Sequence, residues 1–391
     1  MIAHGSAFFQ PPLGMTKICR AVILADESAS WKVAGLRQLE RLSLALDELA
    51  AARGERLEIY VLWSPEISQG QRFVPRHPRL ARVQFANAPL DSADLLLSTR
   101  VLLHRNSSSL STEAESKKYE QLPQDFAQLS SEVCSTWTGS SHAEGREYLE
   151  DSAEIAPCEK RLLRGSGKSQ DGLVSRFLNR PISRAISRVL LKTSITPGAW
   201  TLAILILPLI GAAFLARGDY LSVLVGLIIF QGYSILDGCD GEIARAKYLD
   251  SSRGRALDHW CDVSGNLLLV LGLGYGLSVQ SSSFFYFVEG IIVAGLIAAN
   301  ELLLLFSAPS AGKAGSALYP RHQQMVEGSG LHFFGERFTW WLFQLTKRDM
   351  ALLFFALLAL LGLPAWVLHL LGATTLVTLA LATKAKLLPA R

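Results

Sequence analysis

Beyond Thr196 the chain is a succession of long apolar runs broken by short polar turns. Six runs, near 197–215, 220–239, 257–278, 284–306, 349–363 and 365–383, predict six membrane-spanning helices. Some are shorter than the roughly 20 residues a straight crossing needs, so their polar ends are expected at the headgroups. Just upstream, "DGLVSRFLNRPISRAISRVLLK" (171–192) spaces Arg176, Arg180, Arg184 and Arg188 four apart, on one helical stripe. Leu173, Val174, Phe177, Leu178, Ile182, Ile186 and Val189 fall on the other side. A basic amphipathic helix directly before a span is expected to lie in the cytoplasmic interface. The plainer reading is a solvated helix packed on a soluble domain.

The first part of the chain follows other periods. Residues 18–25 read as a buried strand, and 34–54 carry Leu36, Leu39, Leu42, Leu44 and Leu46 in a helical pattern that stops at Gly54. "LEIYVLW" and "DLLLSTRVLLHR" read as further strands, so 15–105 is expected to be a small α/β domain. Residues 106–155, rich in Ser, Glu and Gln, read as a polar linker, and 156–391 as the membrane domain. The predicted fold is therefore a multi-pass α-helical membrane protein. It has six transmembrane helices and an amphipathic juxtamembrane helix, preceded by a small cytoplasmic α/β domain. The first fourteen residues lack the charged and apolar regions of a signal peptide, and Met15 is an alternative start.

Composition agrees with a membrane location. Half of the 391 residues are hydrophobic and only 18% are charged, a low charged share for a soluble protein. A net charge of +4, with no basic cluster interleaved with aromatics, excludes nucleic acid as a partner. The basic residues speak instead to topology. The loops "ARGDY", "SVQSSS" and "GLPAW" hold one, Arg217. The opposite side holds the arginine stripe, Arg245, Lys247, Arg253, Arg255, Lys313, Arg321, Arg337, Lys347, Arg348, Lys384 and Lys386. The positive-inside rule then puts both termini in the cytoplasm. The five cysteines form no C-x-x-C pair or metal spacing and are expected to be reduced thiols.

Between the second and third runs lie Asp237, Asp240, Asp258 and Asp262, with Asp250 off the pattern. Spacings of three and four put each pair on one helical face. Gly241, Ala244 and Arg245 extend the first face, and Gly254 precedes the second by one turn. A single aspartate here is best read as a solvated helix end. Four together would repel one another, and hard carboxylate oxygens suit Mg²⁺ or Mn²⁺. Four carboxylates could hold two metals, an arrangement suited to phosphoryl chemistry. The glycines would admit a diphosphate close to the backbone, Arg245 could neutralise a phosphate, and an aspartate could serve as base to an acceptor hydroxyl.

The pattern Asp237-x2-Asp240-Gly241-x2-Ala244-Arg245-x8-Gly254-x3-Asp258-x3-Asp262 resembles, at each of these positions, the signature of the CDP-alcohol phosphotransferase family. The resemblance implies a six-helix membrane enzyme with its site at the cytoplasmic side, displacing CMP from a CDP-alcohol by an acceptor hydroxyl. It implies that Asp237, Asp240, Asp258 and Asp262 ligate the metals and that Asp262 is also the general base. Gly241, Ala244, Arg245 and Gly254 would line the CDP pocket, with Asp237 also at the donor. It further implies a homodimer. The family's usual Pro-Asn before the first span stands here as Pro197-Gly198. Within the family, "DGLVSRFLNRPISR" and "DGCDGEIARAK" look most like relatives of the di-myo-inositol phosphate phosphate synthases, which are often fused to a cytidylyltransferase. "AVILADESASWK" resembles the first strand and loop of a nucleotidyltransferase. Its loop, Asp26 to Ser30, has two acids and no glycine where a triphosphate should be cradled. The front domain is therefore expected to be degenerate.

The leading expectation is metal-dependent transfer from a CDP-alcohol to give a phospholipid, with an inositol-type headgroup as one option. The alternative is a synthase joining CDP-inositol to inositol phosphate, with a water-soluble product. A carboxylate-lined cation transporter is the reading from another class. It would need a polar path, yet Asn266, Asn300, Glu289 and Glu301 are nearly all the spans offer. Arg348-Asp349 reads as an interfacial pair or anchor. His259 and Trp260, rotated away from the aspartate face, read as interfacial packing.

Overall fold

The structure, a computed structural model, describes residues 18–105, 119, 125–137, 146–165, 172–306 and 348–387. The first fourteen residues, most of the polar stretch after 105 and the loop residues Lys313, Arg321, Arg337 and Lys347 lie outside these. The chain forms two compact units divided between Gly165 and Ser166.

In the first unit, β1 (Ile18–Ala25) pairs in parallel with β4 (Arg56–Trp63) and β6 (Leu95–Ser98), and β4 pairs with β5 (Gln84–Phe85). The sheet order is β5-β4-β1-β6. An apolar run such as that of β1 suits a parallel strand covered on both faces, and Ala21 to Ala25 are buried. Helix α1 (Gln38–Ala52) starts later than the 34–54 pattern predicts. Ala34 and Gly35, at φ 47° and 83°, first turn the chain between the short strands β2 (Lys32–Val33) and β3 (Leu36–Arg37).

The stretch expected to be a linker supplies structure to this unit. Strand β8 (Arg146–Tyr148) pairs antiparallel with β7 (Val101–Leu103), and α2 covers Phe126–Trp137. Helix α3 (Ile155–Gly165), expected at the head of the membrane domain, belongs to this unit as well and packs Cys158 with Val33, Leu102 and Leu149. The reason is a buried charge: Glu147 on β8 takes bonds from His104 and from Arg161 on α3. Polar composition alone conceals such a network.

The loop after β1 is closed by its own side chains. Asp26 caps a single turn, Glu27–Ser30, and binds the Arg100 guanidinium at 2.6 Å. Ser28 and Thr99 hydroxyls lie 2.6 Å apart, and Arg100 also covers the Trp31 ring. Burial alone would raise the Asp26 carboxyl, but bonds from Ser28 and Arg100 hold it below its ordinary value. This network lies at the carboxyl end of β1, the end at which an open α/β sheet takes its ligands.

The second unit is helical. A wide π turn, Ser175–Asn179, leads into α4 (Arg180–Leu190). The first apolar run is two helices, α5 (Pro197–Ile204) and α6 (Ile206–Leu215). The break falls where Pro208 cannot donate to the carbonyl of Ile204. Then follow α7 (Tyr220–Ala246), α8 (Ser252–Ser281), α9 (Phe284–Phe306), α10 (Arg348–Leu360) and α11 (Ala365–Leu387). Leu227, Phe230, Leu273, Phe355 and Leu368 are among the core residues they share. A Cβ on Gly276 of α8 would collide with the Leu215 carbonyl oxygen, so α6 and α8 touch backbone to backbone.

Six spans were expected. Among the described residues four segments are long and apolar enough to cross: Pro197–Leu215, Tyr220–Ala246, Ser252–Ser281 and Phe284–Leu303. Helix α10 has 13 residues, a rise of about 20 Å against the roughly 30 Å of a hydrocarbon core. The apolar part of α11 is Ala365–Ala380. Conversely, α7 and α8 run past their apolar stretches, because the polar signature residues continue each helix.

Helix α4 is amphipathic, as expected, but part of its arginine stripe is buried. Its polar face, not its apolar one, packs inward: Arg180, Ser183 and Ser187 are buried, while Phe177, Ile182 and Val189 are exposed. Arg180 binds Glu242 of α7 at 3.1 Å, Ser183 donates to the same carboxylate at 2.8 Å, and Gln231 donates to Asn179. A helix that offers apolar side chains outward and polar ones to its neighbour suits a lipid boundary.

Candidate metal centre

The end of α7 and the start of α8 bring the spaced aspartates together. Ser251 caps α8 by accepting from the Gly254 backbone N–H at 3.0 Å. In the turn between the helices Tyr248 is buried at φ 54°, and Lys247 donates to the Thr193 carbonyl at 2.8 Å. Asp250 is exposed in that turn.

Asp237, Asp240 and Asp258 each present a carboxylate oxygen within 4.8 Å of the others. Asp240 is buried and the other two half-buried. Two supports come from α5: Thr201 donates to Asp240 at 2.6 Å, and Trp200 Nε1 donates to the Leu236 carbonyl at 2.9 Å. Asp237 Oδ1 is buried and has no hydrogen-bond partner. An anionic oxygen so placed, beside two more carboxylates, fits a hard divalent cation.

Asp262 shares the helical face of Asp258 but stands outside that three-carboxylate group. Arg348, the first residue of α10, binds Asp262 Oδ1 through Nη1 and Asp237 Oδ2 through Nη2, the latter at 2.8 Å. Its guanidinium lies 5.3 Å from the centroid of the Tyr233 ring, and the Tyr233 hydroxyl donates to Asp262 at 3.2 Å. The expectation that Arg348-Asp349 merely anchors a helix is thus corrected. Arg348 enters the carboxylate cluster, and Asp349 accepts from the Ser175 backbone N–H at the start of the juxtamembrane helix. A cation largely withdrawn from water needs a carboxylate, so an arginine opening an apolar run at the aspartate end was the available signal.

Arg245 lies along its own helix over Gly241, where a Cβ would stand 3.0 Å from Nη1. Ala244 is half-buried one turn beyond, and Gly254 lies in the first turn of α8. His259 turns off the aspartate face, as expected, but is not simple packing: its Nε2 lies 3.1 Å from Glu301 of α9. Trp260 is exposed. Glu289, the other acid within that helix, faces His369 of α11. All five cysteines are free.

The second unit is similar in sequence to known proteins. The family model described as CDP-alcohol phosphatidyltransferase matches residues 195–383. A protein of Rubrobacter xylanophilus named bifunctional IPC transferase and DIPP synthase is 34% identical over 122 residues, 31% of this chain and 27% of that protein. One of the same name from Thermococcus kodakarensis is 34% identical over 151 residues, 37% of this chain and 32% of its own. The chain thus spans about a third or less of these curated relatives. The inner membrane protein YnjF of Escherichia coli is 27% identical over 187 residues, 48% of this chain and 79% of that protein.

Proposed function

We propose, on the premise that residues 195–383 are a domain of the CDP-alcohol phosphatidyltransferase family, that the chain transfers a phosphate-substituted alcohol from a CDP-alcohol to an acceptor hydroxyl. The acceptor oxygen bonds to the phosphorus that bears the alcohol. The bond from that phosphorus to the bridging oxygen breaks, and CMP leaves with the bridging oxygen. The observation that carries this reading is the Asp237, Asp240 and Asp258 group with the unpartnered Asp237 oxygen.

Those three aspartates would hold Mg²⁺ or Mn²⁺, and Asp262 would complete a two-metal site. The metal would supply charge neutralisation at the diphosphate. Asp262 takes the acceptor proton. Gly241 leaves room for the diphosphate, and Arg245, lying over it, offers a guanidinium to a phosphate, with Ala244 and Gly254 lining the same side. Thr201 fixes the Asp240 carboxylate. The site works at the cytoplasmic face of the cell membrane, with both termini on that side, and the front unit is non-catalytic.

The product in this reading is a phospholipid. The names of the relatives favour a second one, joining CDP-inositol to inositol phosphate. The test offers the purified chain CDP-diacylglycerol and CDP-inositol, each with candidate acceptors and Mg²⁺ or Mn²⁺. Release of CMP supports the class, and a product that enters chloroform or stays in water separates the readings. Absence of CMP with every donor, from folded chain, refutes the proposal. Asp262→Asn is expected to abolish turnover, and retained turnover removes Asp262 as base.

A further inference from the structure

Two different cations have claims on one carboxylate cluster. Arg348 reaches in from α10 and spans Asp237 on α7 and Asp262 on α8. Asp237 divides its two oxygens: Oδ2 accepts from Arg348, while Oδ1 is buried with no hydrogen-bond partner, and Asp237 presents an oxygen within 4.8 Å of ones from Asp240 and Asp258. A first divalent ion can therefore be taken by Asp237 Oδ1, Asp240 and Asp258 with the guanidinium still in place. A second ion that uses Asp262 Oδ1 meets an oxygen already held by Arg348 and by the Tyr233 hydroxyl.

We infer that Arg348 is a built-in occupant of the Asp262 side of the cluster and is displaced when a second divalent ion binds. Charge favours the exchange. Four carboxylates are balanced by two divalent ions alone, and left one charge short by a single divalent ion and a guanidinium. Both ions together with the guanidinium would leave one positive charge in excess and crowd three cations into one cluster. The guanidinium is placed to leave: it is a quarter exposed and belongs to the first residue of its helix. Its neighbour Asp349 remains fixed to the Ser175 backbone N–H, so α10 keeps its place when the side chain swings. Arg348 is a positioning residue that makes the active arrangement conditional on full metal loading.

The inference rests on the metal reading proposed above, and the experiment separates the two. Mn²⁺ is titrated into the full chain in detergent, with free Mn²⁺ followed by electron paramagnetic resonance. Wild type is expected to bind one ion tightly and a second more weakly. Removing a competitor worth one charge-assisted hydrogen-bond pair should tighten the second site about 10- to 100-fold in Arg348→Gln. A merely structural arginine predicts the opposite, since its loss would loosen the site. Should Arg348→Gln fail to fold, wild type supplies the second readout. Modification of Arg348 by phenylglyoxal, located by mass spectrometry, is expected to be slow without Mn²⁺ and fast at saturation. No Mn²⁺ binding by wild type defeats the metal reading itself. Two-ion binding with unchanged or weakened second-site affinity in the variant, or labelling indifferent to Mn²⁺, overturns the inference and leaves the metal reading standing.

Discussion

Replacing Arg180 by methionine removes the guanidinium that faces Glu242 and leaves that carboxylate in the protein interior with a single hydroxyl donor. Glu242 is fully buried and Arg180 is 8% exposed, at 3.1 Å. Ser183 contributes the remaining bond at 2.8 Å. Attraction within such a pair does not reliably exceed the cost of drying both charges, but stranding one charge costs about 3–5 kcal/mol. For a unit of this size 1 kcal/mol moves the melting temperature by roughly 2–4 °C. Arg180→Met should therefore melt about 6–20 °C below wild type in detergent. Glu242→Met removes the carboxylate but leaves the guanidinium its contact with the Gly238 carbonyl at 3.4 Å, and should cost less than that. The double variant removes both charges and should recover most of the loss, with a coupling of about 2–4 kcal/mol between the sites. The assay is thermal unfolding of all four proteins in one detergent, read by intrinsic fluorescence. A melting point for Arg180→Met within about 2 °C of wild type, or two losses that simply add, would refute the account of α4 as pinned by a buried ion pair. The pairing matters for function because Glu242 is two residues from Asp240 on α7.

Three other expectations follow from the same coordinates. Thr201→Val removes the bond to Asp240 and should weaken the first Mn²⁺ site by about tenfold in the same titration, with a melting point close to wild type. Gly276→Ala drives a methyl into the Leu215 carbonyl and should lower stability by about 1–3 kcal/mol, seen as a lower melting temperature. In the first unit, burial raises the Glu147 carboxyl, but hydrogen bonds from His104 and Arg161 outweigh it and bring its pKa to about 2. The folded value lies below the unfolded one, so the pairing contributes about 3 kcal/mol in full above pH ~4.5, lost as pH falls towards 2. Limited proteolysis of this unit should accelerate through that acid window in wild type, and much less so in Glu147→Gln.

The spaced aspartates and the apolar runs are local patterns, and local patterns were readable along the chain. Helical periodicity alone puts Asp237 with Asp240 and Asp258 with Asp262 on shared faces, and strand composition alone marks β1 and β4. The polar stretch after 105 misled, because β8 and α3 belong to the first unit through Glu147, a carboxylate whose partners are 43 and 14 residues away. No window of sequence contains that network. The same holds for α4: its amphipathic pattern is evident, but which face turns inward depended on Glu242, whose burial only α7 could arrange. Among the spaced aspartates, periodicity grouped four, whereas the packing of α5 and α10 gave them different partners. Thr201 donates to Asp240 from 39 residues away, and Arg348 pairs with Asp262 from 86 residues further along the chain. Periodicity determines which side chains share a face, since that follows from helix geometry. Which distant cation or hydroxyl meets that face is decided by tertiary packing, where burying a charge obliges the fold to supply its partner.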